Sequence, residues 1–390
     1  MKSKIQTKEA SLYLSYIMLY VSLFIGDVYN MGRFDIIARI LRLVAYALIV
    51  ISCINLKLKK NDFLRLIFFF MLALFYGIIT GDLYWSILIL FIYNTKRLNI
   101  RTIYEISYKI IITGIIIVLG CYAFGLLPDV LTSRNTIEHI NFDRHSFGFY
   151  HSNVMPLLVF YLEVYYICIA KEKIKKLIIV CYMVAAIVAS MFCNSRNALI
   201  SSILLSLFVI LKKRKDQSGH FLLYTMAVTA IPCLSFFSFA MMFLLLKGGI
   251  WNAIDNVFSG RFRLAIFKMR RIGIHLINIM SNADFLRDNI FYVNGENLDT
   301  IVLDNGYLYV ILRYGILVLI FYFIVAYLLT RKNRGNDCVL WAIIVVFATN
   351  FIDNDLVDYS FLPFILWAFN EWKGVNHVII KKKHPQALII

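Results

Sequence analysis

The sequence predicts an all-α, polytopic integral membrane protein with about twelve transmembrane helices and one long extracytoplasmic loop. Three observations lead there. Hydrophobic residues make up 61% of the chain and charged residues only 16%, against roughly 25% charged in a soluble domain. Apolar stretches of about 17–25 residues, the length a helix needs to cross the hydrocarbon core, recur from end to end. None of them alternates with a period of two, so in a solvent without hydrogen-bond partners they must close their backbone bonds as helices.

Taken in order, the spans fall near 10–28, 36–56, 63–80, 82–93, 105–125, 153–170, 175–192, 197–211, 221–246, 306–330, 338–352 and 357–372. The fourth and eleventh are short, and read as tilted or re-entrant. The N-terminal MKSKIQTKEA is not followed by a small-residue cleavage site, so the first run is expected to be a retained span and not a removed signal peptide. Residues 1–390 form a single membrane domain. Its two long connections are an outer loop at 126–152 and the longest at 247–303, between the ninth and tenth spans.

Loop charges give the expected orientation. Of 40 basic residues, 26 fall in alternate connections, such as Lys57/Lys59/Lys60/Arg65, Lys96/Arg97/Arg101/Lys109 and Lys171/Lys173/Lys175/Lys176. A single missed span would scramble that alternation. Under the positive-inside rule these connections and both termini are cytoplasmic. The net charge of +17 is thereby accounted for by topology and not by nucleic acid. The other 14 basic residues lie in outer loops or outer span ends, and 12 of them are arginine, including Arg134 and Arg287. Arginine's planar fork suits bidentate contact with phosphate or carboxylate. Arg39 and Arg42 share one face of the second span. Arg313 stands about two turns, roughly 9–10 Å, inside the tenth. Each either faces a wet outer cavity with anionic contents or snorkels to headgroups.

Four outer segments carry candidate chemistry. The first is Asp143-Arg144-His145-Ser146-Phe147-Gly148-Phe149-Tyr150-His151-Ser152-Asn153. It supplies Arg144, His151 and Asn153 to a sugar- or phosphate-contacting mouth, or else anchors the interface through its aromatic residues. Arg196, in the tight turn Cys193-Asn194-Ser195-Arg196-Asn197-Ala198, opens a helix whose exposed N–H groups already favour an anion. In the long loop, Ser259-Gly260-Arg261-Phe262-Arg263 precedes an amphipathic stretch with bases at 268, 270 and 271, suited to anionic headgroups. Finally, Asp304-Asn305 meets the tenth span. Either residue is a natural helix N-cap; alternatively Asp304, ionised and with its pKa lowered by nearby arginines, acts on or orients a sugar hydroxyl. Asp353-Asn354-Asp355 is a D-x-D tripeptide that holds a metal only in some settings, so no metal is assigned. Glu163 is expected to snorkel or to bond a neighbouring helix.

The seven cysteines lie in or beside apolar runs without metal-ligand spacing. No P-loop, dinucleotide fingerprint, G-x-S-x-G elbow or H-E-x-x-H is present, and no cofactor is implied. The confinement of stray arginines to one side favours a fixed outward site over the alternating access of a transporter or flippase, whose helices are broken near the midplane.

Phe147-Gly148-Phe149-Tyr150-His151-Ser152-Asn153, Ser195-Arg196-Asn197-Ala198, Ser259-Gly260-Arg261 and Asp304-Asn305-Gly306-Tyr307-Leu308 with Gly315 occur in the order seen in Wzy-type polysaccharide polymerases. Over roughly residues 140–330 the chain resembles that family, and shares much of the pattern with the related O-antigen ligases. The resemblance implies a membrane-embedded glycosyltransferase that joins lipid-linked repeat units at the outer leaflet of the bacterial plasma membrane, as in O-antigen, capsule or exopolysaccharide synthesis. Its donor would be a polyprenyl-pyrophosphate-linked oligosaccharide. Its partners would be membrane lipid and the flippase and chain-length regulator of the same pathway. Arg196 and Arg261 match the arginines thought to hold the pyrophosphate. Asp304 falls where ligases tend to have histidine, which fits the polymerases better. The expected site is therefore Asp304 and Arg261 as catalytic residues, with Arg196, Arg144, His151, Asn153, Arg263, Arg313 and Asn305 binding substrate.

Overall fold

The computed structural model describes residues 2–29, 33–54, 60–80, 83–134, 142–212, 220–258, 260–278, 285, 291–293, 296–298 and 303–370. The apolar runs fold as helices: α1 (Lys2–Asp27), α2 (Arg33–Ile54), α3 (Lys60–Thr80), α4 (Leu83–Asn94), α5 (Ile100–Ala123), α6 (Val154–Ala170), α7 (Lys176–Cys193), α8 (Arg196–Leu211) and α9 (His220–Leu245). Among its described residues the long loop contributes two short helices, α10 (Ile250–Val257) and α11 (Arg261–Ile272). Then come α12 (Gly306–Tyr314), α13 (Ile316–Lys332), α14 (Asp337–Thr349) and α15 (Leu362–Phe369). Two short antiparallel ribbons complete the description: β1 (Thr132–Arg134) with β2 (Phe142–Arg144), and β3 (Phe291–Val293) with β4 (Glu296–Leu298). Ser259 and Arg287 lie outside the described residues.

Among the described residues, five helical segments, Glu9–Asp27, Asp35–Cys53, Ile100–Ala123, Lys176–Cys193 and His220–Leu245, are long and apolar enough to cross a membrane; five more are apolar but shorter. The protein is an all-α membrane protein. Its outer faces are apolar where a soluble protein's would be polar. Ile78, Leu177 and Phe236 are at least 75% exposed, among many exposed apolar side chains that lipid would cover. Inside this rim, α6, α12, α14 and α15 are buried on nearly every side, as expected of helices hydrophobic all round. Small polar groups join the helices. Ser15 donates to the Ala45 carbonyl at 2.6 Å, and the Tyr16 and Ser107 hydroxyls meet at 2.6 Å. Glu163 does not snorkel. It is fully buried and bonds α8, accepting from Ser202 at 2.5 Å and Ser206 at 2.6 Å.

Two departures from the sequence expectation shape the site. The tenth run is not one helix: it breaks at Gly315, whose φ of +94° is reached cheaply only by glycine. The chain after α11 inserts at this break. Asn278 N–H donates to the Tyr314 carbonyl at 3.1 Å, while Ile316 and Leu317 donate to the carbonyls of His275 and Leu276, both at 3.1 Å. A Cβ at Gly315 would meet this backbone at 2.7–2.9 Å. The twelfth run, for its part, begins with 3-10 turns at Asp355–Val357 and Tyr359–Phe361 before α15 starts.

Candidate functional site

Five chain segments converge where α7 and α9 end and α6, α8 and α12 begin. The four residues Asp304–Tyr307 explain much of it. Asn305, fully buried, is the true N-cap of α12: its side-chain oxygen accepts from Leu308 N–H at 3.0 Å, and its amide donates to Ser238 at 3.1 Å and the Phe351 carbonyl at 2.8 Å. Capping is thus done by Asn305, and Asp304 is left to pair with Arg261. Gly306 lets the chain after α14 come close. Its N–H donates to the carbonyls of Asn350 (2.9 Å) and Asp353 (3.0 Å), and a Cβ there would press on those same atoms. Tyr307 ties α12 to α14 through the Phe347 carbonyl at 2.7 Å. The outcome is that Asp353 is brought beside Asp304.

Arg261 stands between the two carboxylates. Its guanidinium is 3.2 Å from Asp304 and 3.8 Å from Asp353. It is placed by the start of α11. Gly260 takes the left-handed conformation at φ +74°. Buried Asp255 fixes that turn, accepting Gly260 N–H on its carbonyl at 2.8 Å and Phe262 N–H on its carboxylate at 3.0 Å. Nη1 of Arg261 is buried with no hydrogen-bond partner among the described residues. A cation committed to an ion pair but short of hydrogen bonds is open to a further oxygen ligand.

The loop before α6 closes the other side. Asp129 organises it, accepting from Ser146 N–H at 2.7 Å and Phe147 N–H at 3.1 Å and pairing with His145 at 2.5 Å. Arg144 donates to the Cys193 carbonyl at 3.1 Å and to the Asn153 side chain, tying the loop to the end of α7 and the start of α6. Asn153 N–H donates to Nδ1 of His151 at 3.1 Å. Asn197, on the first turn of α8, donates to the Asp353 carboxylate.

The electrostatics follow from burial. The pKa of Asp304 is raised to about 6: desolvation comes first and Asp353 adds to it, while Arg261 and Arg144 pull it down without prevailing. The expectation that arginines would lower it is reversed, because loss of water costs the carboxylate more than the arginines return. Asp353 is raised by burial too, against Arg261, Asn197 and Arg144. His151 is lowered, by burial first and then by Arg144 and Arg261.

Of the expected site residues, Arg261, Asp304, Arg144, His151 and Asn153 come together. Arg263 turns away, half exposed, toward Asp255 at 3.6 Å and Asn256 at 3.4 Å. Arg313 is buried against the rings of Tyr309 and Tyr314, whose centres lie 5.4 and 4.8 Å away, and donates to the Tyr309 hydroxyl. Neither it nor Asn305 touches Arg261. Arg196 is exposed beside Asn197 at the rim and makes no hydrogen bond or ion pair among the described residues. Sequence reasoning missed Asn197 and set Asp353 apart as half of a metal tripeptide. In the structure Asp353 turns to Arg261 and Asn197, while Asp355 accepts from Tyr161 at 3.4 Å. Among the described residues no group of three or more His, Cys, Asp or Glu is arranged to hold a metal ion. Gly306 and Gly315, where a Cβ would meet backbone atoms at 3.1 Å or less, mark the close backbone approach here.

No family model matches the chain, and neither a curated protein nor a solved structure matches it.

Proposed function

We propose that this protein is a polymerase of lipid-linked oligosaccharide repeat units, working on the outer leaflet of the bacterial plasma membrane. In this reading the chain crosses twelve times with both termini cytoplasmic, and the Arg261 cluster faces outward. The observation that carries the proposal is Arg261 held between Asp304 and Asp353, with Arg144 and His151 beside it, in a mostly buried cluster at one end of the bundle. The order of motifs shared with Wzy-type polymerases supports it.

The reaction needs two things. An acceptor hydroxyl attacks the donor's anomeric carbon; the bond from that carbon to the pyrophosphate oxygen breaks, and polyprenyl pyrophosphate leaves with the bonding electrons. Fixed cations stabilise the charge growing on the leaving group, and do so more strongly out of water. Arg261 and Arg144 supply them, with Arg196 at the rim. The hydroxyl proton passes to Asp304, whose pKa of about 6 suits a base near neutral pH. Pyrophosphate bound to Arg261 competes with Asp304 for the guanidinium, which makes the carboxylate more basic as the donor arrives.

A second reading draws on the break at Gly315. Discontinuous helices are typical of transporters, so a flippase or transporter of lipid-linked oligosaccharide is the rival from another class; an O-antigen ligase-type transferase is the rival among enzymes. Purified protein reconstituted with a synthetic polyprenyl-pyrophosphate-linked repeat unit, and no nucleotide sugar, should yield a ladder of longer lipid-linked glycans. Absence of the ladder with a competent substrate would count against the polymerase.

A further inference from the structure

At the opposite end of the bundle, where α5 begins and α6, α13 and α15 end, the structure holds a cavity of about 990 Å³. Five cations line it: Arg101, Lys171, Lys173, Lys175 and Lys332. No carboxylate is among its described lining residues. Two of the five have side-chain ion pairs or hydrogen bonds. Arg101 pairs with Glu105 at 2.9 Å, and Lys332 donates to the carbonyls of Trp367 at 3.0 Å and Ala368 at 2.7 Å, closing the end of α15. Lys171 stands 5.2 Å from the centre of the Trp367 ring. Between the cations the wall is aromatic and aliphatic, with Trp367 and Tyr104 buried and Ile100 and Ile178 beside them.

Orientation by the positive-inside rule accounts for lysines in a loop but requires no cavity. The volume lies at the upper end of small-molecule sites and would be mostly empty around a lone inorganic anion. Its lining asks for a ligand with a phosphate at one end and apolar groups at the other. A cavity at the end of a membrane-protein helix bundle is supplied with such ligands by the surrounding lipid. We propose that this cavity binds the phosphate headgroup of an anionic membrane lipid, with Lys171, Lys173 and Lys175 as its cations and Trp367 as its apolar wall. The proposal does not depend on the chemistry at the Arg261 end.

The test uses the full chain, purified in a neutral detergent and titrated with dioleoyl phosphatidylglycerol, dioleoyl phosphatidylcholine or inorganic phosphate, reading the shift in Tm. Phosphatidylglycerol should raise Tm saturably, and the other two should not. The triple variant Lys171→Gln, Lys173→Gln, Lys175→Gln should bind it about 100-fold more weakly, the scale for three lysines at an anionic surface. The matched variant Lys57→Gln, Lys59→Gln, Lys60→Gln should retain the shift. Equal loss in both triple variants, an equal response to phosphatidylcholine, or a full shift from inorganic phosphate alone would overturn the assignment.

Discussion

If Asp304 takes the acceptor proton, the pH dependence of polymerisation follows from its surroundings. An ordinary aspartate is fully ionised above pH 5, so a base of that kind would leave activity flat from there upward. Burial raises Asp304 from 3.8 to about 6. The sign is that of a base: the ionised form works, so activity is present above the folded-state pKa and is lost as pH falls through it. At pH 7 about ten carboxylates are ionised for each protonated one, and at pH 5 the ratio is reversed, so the rate should fall roughly tenfold across that interval. The neighbours bear on the assignment. Asp353 is also raised, while His151 is lowered and so is neutral near pH 7. The assay is ladder formation from a lipid-linked repeat unit by reconstituted protein at pH 5, 6, 7 and 8, with donor well below saturation so that the rate reports the donor-free protein. The native protein should show the acid limb, and Asp304→Asn should lose about 10²–10⁴-fold in rate with no limb near 6 in what remains. A native profile flat from pH 5 to 8, or an Asp304→Asn protein with native rates, would refute the role of Asp304 as base.

Three other outcomes are expected. Arg261→Ala should abolish product while leaving membrane insertion and expression intact, since Arg261 sits on a loop helix outside the spanning frame; normal ladders from this variant would remove it from the site. Gly315→Ala should lower thermal stability by at least about 1–3 kcal/mol, the scale of one strained backbone position, because its φ is positive and its Cβ would press on residues 276–278; an unchanged Tm would contradict the inserted loop. Glu163→Ala should lower stability by about 1–2 kcal/mol, on the scale of interhelical hydrogen bonds within a membrane, and Glu163→Gln by less, as read from detergent-solubilised melting curves.

The helical frame was legible because lipid imposes a single rule on the backbone, and the apolar runs at 10–28, 36–56, 105–125, 175–192 and 221–246 recur as long apolar helices. Arg144, His151, Asn153, Arg261 and Asp304, singled out in the sequence as polar residues in loops between apolar runs, lie near one another in the structure. What the sequence concealed depends on backbone geometry. An apolar run through residue 315 scores the same whether or not a loop backbone meets the glycine there. Asp304 and Asn305 are equally good caps by type, and only the bonds to Ser238 and Phe351 decide that Asn305 is held. Arginines near an aspartate suggest a low pKa, yet how much water the fold removes from Asp304 is not written in the neighbouring letters. Asp353, 92 residues from Arg261, could not be paired with it by spacing.

The most direct test of the central claim is the lipid-linked glycan pool of cells lacking this protein. The account predicts single repeat units accumulating on the outer leaflet, delivered but not joined. Long chains still attached to lipid, single units trapped on the inner leaflet, or an unchanged pool would each contradict it.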